Sequence, residues 1–152
     1  MKKIIALLFF VILTICMFST VYADSAEKIE ISFKVGDEIL KINGEDVKVQ
    51  KPLVVNGVTL VPLRVITEAF GSEVEWNGEE QSILLKYDSV EIKLVIGSKT
   101  AVVNGIETTM LEAPVLKDGV TMVPLRFITE NFGADVTYIG ETKEIVVVKE
   151  IV

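Results

Sequence analysis

Carboxylates dominate the chemistry open to this chain: its 152 residues include 22 acidic side chains, 15 basic ones and no histidine. Histidine is the usual general base near neutral pH and the commonest ligand for transition metals, so both roles are vacant. Cys16 is the only cysteine and sits in an apolar stretch near the N-terminus. A zinc or copper site would have to be all carboxylate, against the ligand preference of both metals. Asp37-Glu38 and Glu79-Glu80 do not form an EF-hand loop. No phosphate-cradling glycine loop or nucleophile elbow is present. Two acids about 5 to 10 Å apart could in principle cleave a glycoside, yet spacing singles out no pair. The sequence therefore assigns no catalytic, cofactor-binding or metal-binding residue, implies no cofactor, and is that of a non-enzyme.

The one charged spacing that stands out is Arg64 with Glu68, repeated as Arg126 with Glu130. Four residues apart on a helix, each cation and anion meet on one face. The order opposes the helix dipole, with the cation near the N-terminus and the anion near the C-terminus. Tertiary contacts are expected to compensate, with Arg64 tying Glu68 and nearby carbonyls into a partly shielded network. Since both occurrences keep the pair, the four residues are read as structural ion pairs, the alternative being a ligand-binding arginine. Trp76, Tyr87 and Tyr138 could stack on a sugar. Trp76 and Tyr138 occupy equivalent positions and are read as core residues. Ligand-binding residues stay unassigned.

These pairs lie inside a longer duplication. Val58-Thr59-Leu60-Val61-Pro62-Leu63-Arg64 leads to Phe70-Gly71, and the pattern returns 62 residues later, from Val120 to Gly133. Each occurrence reads as a short buried strand running into one short helix. Pro62 and Pro124 suit the first helical turn, where an N–H has no helical partner. Gly71 and Gly133 suit a left-handed C-terminal cap. Leu63, Ile66 and Phe70 share one face of the first helix. Two turns of helix do not persist alone in water, so a sheet must hold that face.

Around the helices the pattern has period two. Ile29, Ile31, Phe33 and Val35 alternate with polar residues, and Val90, Ile92, Leu94 and Ile96 repeat the spacing with Glu91 and Lys93 between the first three. Asn43-Gly44, Asn56-Gly57 and Asn104-Gly105 predict tight hairpins, because both central residues of the favoured turn need positive φ. Glu73 to Trp76 and Ser82 to Tyr87 read as a hairpin, and Ile145 to Val148 as the last strand. The second occurrence gains one residue before Pro114, which makes Leu111 to Ala113 a variable loop. The predicted class is α+β: two repeats, each of antiparallel strands and hairpins packed on one short helix, sharing or closely packing their sheets. Repeat one spans 29–88 and repeat two 89–152, after a flexible segment at 24–28.

At the N-terminus, Lys2-Lys3 precedes an apolar run from Ile4 to Phe18, and Val21-Tyr22-Ala23 offers a cleavage site. This predicts a signal peptide at 1–23, with a retained anchor as the competing reading. The run is shorter than the roughly 20 residues that a spanning helix needs. Losing Lys2 and Lys3 from 15 basic residues leaves 13 against 22 acidic, a net charge of −9. Such a chain is a poor nucleic-acid binder and is repelled by polyanions.

Together, Asn56 to Arg64, Glu68 to Gly71 followed by Val74-Glu75-Trp76, Ile96-Gly97-Ser98, Val103-Asn104-Gly105 and the second Val-Pro-Leu-Arg at 123 to 126 resemble the copper amine oxidase N-terminal domain family, or stalk domain. The resemblance covers nearly all of the chain beyond the signal segment. It implies an antiparallel sheet of about five strands wrapped on one helix, in proteins that are mostly secreted or surface-bound in bacteria. It carries over no copper ligand, because the oxidase's copper site lies in other domains. The expectation is a secreted or cell-surface, non-catalytic stalk module that associates with a cell-wall glycan or a surface protein. The alternatives are a self-associating scaffold or homo-oligomer, pairing through sheet edges at Ile29 to Val35 or Ile145 to Val148, and a carboxylate-based hydrolase. No nucleic acid and no stable membrane insertion are expected after cleavage.

Overall fold

A computed structural model describes residues 27–151. The predicted signal peptide and most of the segment at 24–28 lie outside the described residues.

The duplicated motif sits at the centre. Its strands are β5 (Val58–Pro62) and β12 (Val120–Pro124), and its helices are α1 (Leu63–Phe70) and α2 (Leu125–Asn131). The two strands pair antiparallel with Leu60 opposite Pro124, Val61 opposite Val123 and Pro62 opposite Met122. The register thus reads the same from either strand, a local two-fold arrangement. With β4 (Leu53–Val55) and β11 (Val115–Lys117) on the outside, these strands form a four-stranded sheet in the order β11-β12-β5-β4. Pro62 and Pro124 end their strands and stand at the N-cap of each helix, one position earlier than predicted. Their missing N–H groups cost nothing there.

Gly71 closes α1 in the left-handed region at φ 65°, its N–H donating to the Thr67 carbonyl. After α2, the Gly133 N–H donates to the Glu130 carbonyl and the Ala134 N–H to the Thr129 carbonyl. That double bond pattern is a Schellman cap, with Gly133 at φ 84°.

Two five-stranded antiparallel sheets flank this centre. One is a continuous meander of β6 (Glu73–Asn77), β7 (Ser82–Tyr87), β8 (Val90–Val95), β9 (Thr100–Val103) and β10 (Ile106–Thr109). The other joins the first and last described strands. Its order is β13 (Asp135–Ile139), β14 (Glu144–Glu150), β1 (Lys28–Lys34), β2 (Ile39–Ile42), β3 (Glu45–Lys48). The pairing of β1 with β14 runs through seven residue pairs, from Lys28 opposite Glu150 to Lys34 opposite Glu144.

This topology overturns the predicted class. Among the described residues there are fourteen strands and only two helices, of eight and seven residues, so the fold is mostly antiparallel β rather than α+β. Nor does each half of the sequence close on itself. β1 to β3 do not pair with β6 and β7 of their own half; their sheet continues through β1 to β14 from the far end. Alternating apolar residues specify that a strand is half buried but not which strand lies beside it. The same pairing removes the edges suggested for self-association. Ile29 to Val35 and Ile145 to Val148 lie on strands that bond to each other.

The turns follow the sequence closely. Asn43, Asn56, Asn104 and Asp118 have φ near +50°, each followed by a glycine of positive φ, the signature of a two-residue hairpin turn. Asn43 and Asn104 also use their side chains: the Glu30 N–H donates to Asn43 Oδ1 at 2.9 Å and the Glu91 N–H to Asn104 Oδ1 at 2.7 Å. Each turn is thereby stitched to the strand that flanks its hairpin, β1 for Asn43 and β8 for Asn104.

One core runs through all three sheets. Ile31, Leu40 and Val147 from one outer sheet, Ile83, Leu85, Ile92 and Leu94 from the other, and Val61 and Val123 from the centre are fully buried. The helices contribute Val65, Ile66, Ala69 and Phe70, and Leu125, Ile128 and Phe132. Phe70, Tyr87 and Phe132 meet with ring centroids 5.1 to 5.4 Å apart. Burying one such ring contributes roughly 2 to 3 kcal/mol.

The Ile151 N–H donates to the Glu27 carbonyl at 2.8 Å, so the described ends touch. A circular permutant that links Ile151 to Glu27 through a few glycines and opens between Asp88 and Ser89 should keep a cooperative thermal transition by circular dichroism. One opened between Leu60 and Val61 should lose it.

Candidate functional site

The Arg–Glu spacing forms on both helices as expected, but in solvent. Arg64 Nε donates to Glu68 Oε1 at 2.6 Å, and Arg126 Nη1 to Glu130 Oε1 at 3.0 Å. The Arg64 and Arg126 side chains are 60% and 56% exposed. No shielded network with carbonyls accompanies Arg64 among the described residues. Neither helix has an acid in its first turn or a base in its last. For α2 the compensating cation arrives from elsewhere. Lys149 on β14 donates to the Phe132 carbonyl at 2.6 Å, at the negative end of the helix, with its Nζ 4.8 Å from the Tyr87 ring centroid.

The two pairs differ in surroundings. Arg126 and Glu130 stand on the wall of a cavity of about 520 Å³; Arg64 and Glu68 do not. Three elements build this cavity. α2 supplies Leu125 and Phe127, the inner face of β13 and β14 supplies Val136, Tyr138 and Ile145, and the β4–β5 hairpin supplies Val54, Val58 and Thr59. Met110 and Leu111 close one side. Leu111 is 81% exposed. Its loop is held by Glu112, which accepts from Asn56 Nδ2 at 2.7 Å and lies 3.7 Å from Lys99 Nζ. The walls are thus largely apolar, and the one cation and one anion among them neutralise each other.

Trp76 and Tyr138 are not core residues. They are 53% and 54% exposed. Both point to the core side of their sheets, opposite buried Ile83 and Ile145, but β6 and β13 are outermost strands that overhang the core. Tyr138 therefore covers the cavity. Tyr87 is half-buried in the aromatic cluster and is not free to stack on a ligand. Its phenol is pushed above the ordinary value by burial, helped by the Asp88 carboxylate.

Trp76 lies beside a second, shallower depression with Glu75, Glu79, Glu80 and Lys93. Lys86 Nζ is 3.1 Å from Glu75 and Lys93 Nζ 2.7 Å from Glu80. The Lys93 ammonium, aided by the Ser82 hydroxyl, holds the Glu80 carboxyl below the usual range. A general acid needs the opposite shift. Among the described residues, no three acids or cysteines gather as metal ligands would.

The sequence did not single out Phe127, Val136 or Leu111. The signals were present. Phe127 stands where the first occurrence of the motif has Val65, Tyr138 replaces Trp76, and Leu111 belongs to the loop with the added residue. Phe127 and Tyr138 are lining positions where the two occurrences differ, whereas Leu125, Arg126, Glu130, Val136 and Ile145 match Leu63, Arg64, Glu68, Val74 and Ile83 of the first.

A family model described as copper amine oxidase N-terminal domain matches residues 41–147. The primary amine oxidase of Klebsiella aerogenes is 33% identical over an alignment of 93 residues that covers 59% of this chain and 12% of that protein. The chain therefore matches a small fraction of the oxidase's length.

Exposed ion pairs gain little over hydration. A double-mutant cycle on Arg126→Ala and Glu130→Ala, read by urea unfolding, should give a coupling of no more than about 0.5 kcal/mol. Glu80 should titrate below an unpaired glutamate by carboxyl-carbon NMR, and Lys93→Ala should raise the midpoint toward the ordinary value, with the Ser82 hydroxyl retaining part of the shift. Because its folded pKa is depressed, its stabilising contribution is present above the unfolded pKa and is lost as pH falls through the folded one.

Proposed function

The chain belongs to the copper amine oxidase N-terminal domain family, and from that premise we propose that it is a secreted, non-catalytic binding module that associates with the bacterial cell wall or a surface protein. The observation that carries this reading is the cavity beneath Tyr138. It is open, apolar and walled by a mutually neutralised ion pair, which suits holding a partner rather than transferring a proton. The lowered carboxyl at Glu80 weighs in the same direction. The charged start, apolar run and cleavage site within residues 1–23 support secretion.

We read the chain as two tandem copies of one unit, at 29–88 and 89–152. The 62-residue recurrence and the two-fold register of β5 with β12 support this. On this reading the second copy supplies most of the cavity wall, with Phe127 and Tyr138 in place of Val65 and Trp76, and the first copy adds Val54, Val58 and Thr59.

The test is retention on cell walls. Protein secreted from the full-length gene is incubated with purified walls, either untreated or stripped of surface proteins by protease. Retention on untreated walls is expected; loss after protease would assign a protein partner and persistence a glycan. Protein left wholly in the supernatant in both arms would overturn the reading.

A further inference from the structure

Each of the three sheets has two outermost strands, and their edges are not equally guarded. β4 and β11 are only three residues long. β3 carries Glu45, Asp46 and Lys48 in four residues, β6 carries Glu73 and Glu75, and β10 has Glu107. Short length and charge are the usual protections of an open edge. β13 is five residues long and its single charge, Asp135, stands at its first position, which leaves Val-Thr-Tyr-Ile as an uncharged run of four. Among the described residues nothing pairs with its outer side.

The cavity lies against that same strand. Val136 and Tyr138 face inward, opposite Val147 and Ile145, and both line the cavity. A strand added beside β13 would lie about 4.8 Å farther out, with its inward side chains about 4.5 to 5.5 Å from these two. They would enter the cavity mouth. The ends of β13 are acidic, with Asp135 at one and Glu141 just past the other, in a chain of net charge −7.

We propose that β13 is a docking edge for an extended peptide of a partner protein. The peptide joins the sheet as a sixth strand, places an apolar side chain in the cavity beneath Tyr138, and carries basic residues where it meets Asp135 and Glu141. This rests on the binding-module reading and names its partner chemistry. Backbone hydrogen bonds supply affinity and the cavity supplies selectivity, as in other strand-addition complexes.

The probe is a fluorescent peptide, Lys-Val-Thr-Phe-Thr-Val-Lys, titrated into protein secreted from the full-length gene and followed by polarisation. Saturable binding is expected, with amide shifts confined to Asp135–Ile139 and the cavity walls. N-methylation of alternate peptide amides, exchange of the central Phe for Asp, and Tyr138→Lys in the protein should each weaken binding at least about tenfold. Trp76→Lys, on the other outer sheet, should change nothing and controls for general surface effects. Absence of saturable binding, indifference to N-methylation, or shifts centred on β6 would overturn the proposal. So would concentration-dependent light scattering abolished by Tyr138→Lys, which would give the edge to a second copy of the chain. Wall retention with no peptide binding would remove this inference alone; loss of both would remove the module reading as well.

Discussion

The pairing of β1 with β14 holds the rest of the structure in place. It joins residues more than a hundred positions apart, so its closure entropy is large and must be offset by what it buries. Ile31 opposite Val147 and Phe33 opposite Ile145 are the residues that do so. Without this ladder one outer sheet separates into a two-stranded hairpin and a short meander, and neither is stable in isolation. The helices depend on it in turn. At eight and seven residues they do not persist without a surface to pack on. Phe70 and Phe132 meet Tyr87 only because both outer sheets are assembled around them. Folding of this chain is therefore expected to be governed by a long-range contact rather than by its helices.

What the sequence made legible was local. The helix starts after Pro62 and Pro124, the left-handed caps at Gly71 and Gly133, and the Asn-Gly turns are each fixed by residues within a few positions of one another. Strand partners are not local, and there the reading failed. The recurrent motif was read as two α+β repeats sharing or closely packing their sheets; the fold is instead mostly antiparallel β, and each outer sheet draws strands from both halves. Trp76 and Tyr138 show the same limit. Alternation placed them correctly on the inner face, but only the strand order reveals that β6 and β13 reach past the core. Arg64 and Arg126 found the partners that spacing predicts, and the expected shielding failed because the helix faces that carry them look outward.

The candidate site shows how a recurring motif gains individuality. The strand–helix motif recurs as β5 with α1 and β12 with α2, and a few exchanges around the second make its surroundings different. Phe127 in place of Val65 adds bulk beside α2, and the loop at Met110 to Ala113 builds a wall. Glu112 fixes that loop by bonding to Asn56, a turn residue of the central sheet. A feature set by hairpin geometry in one half thus becomes a brace for the cavity in the other.

The contact between Glu27 and Ile151 has a mechanical consequence. β1 and β14 are antiparallel and leave the fold side by side. Tension applied between the two ends would load their hydrogen bonds one after another, peeling the ladder like a zip instead of shearing it as a block. The fold should yield at low force when stretched from both ends, yet feel no such strain when tethered by one.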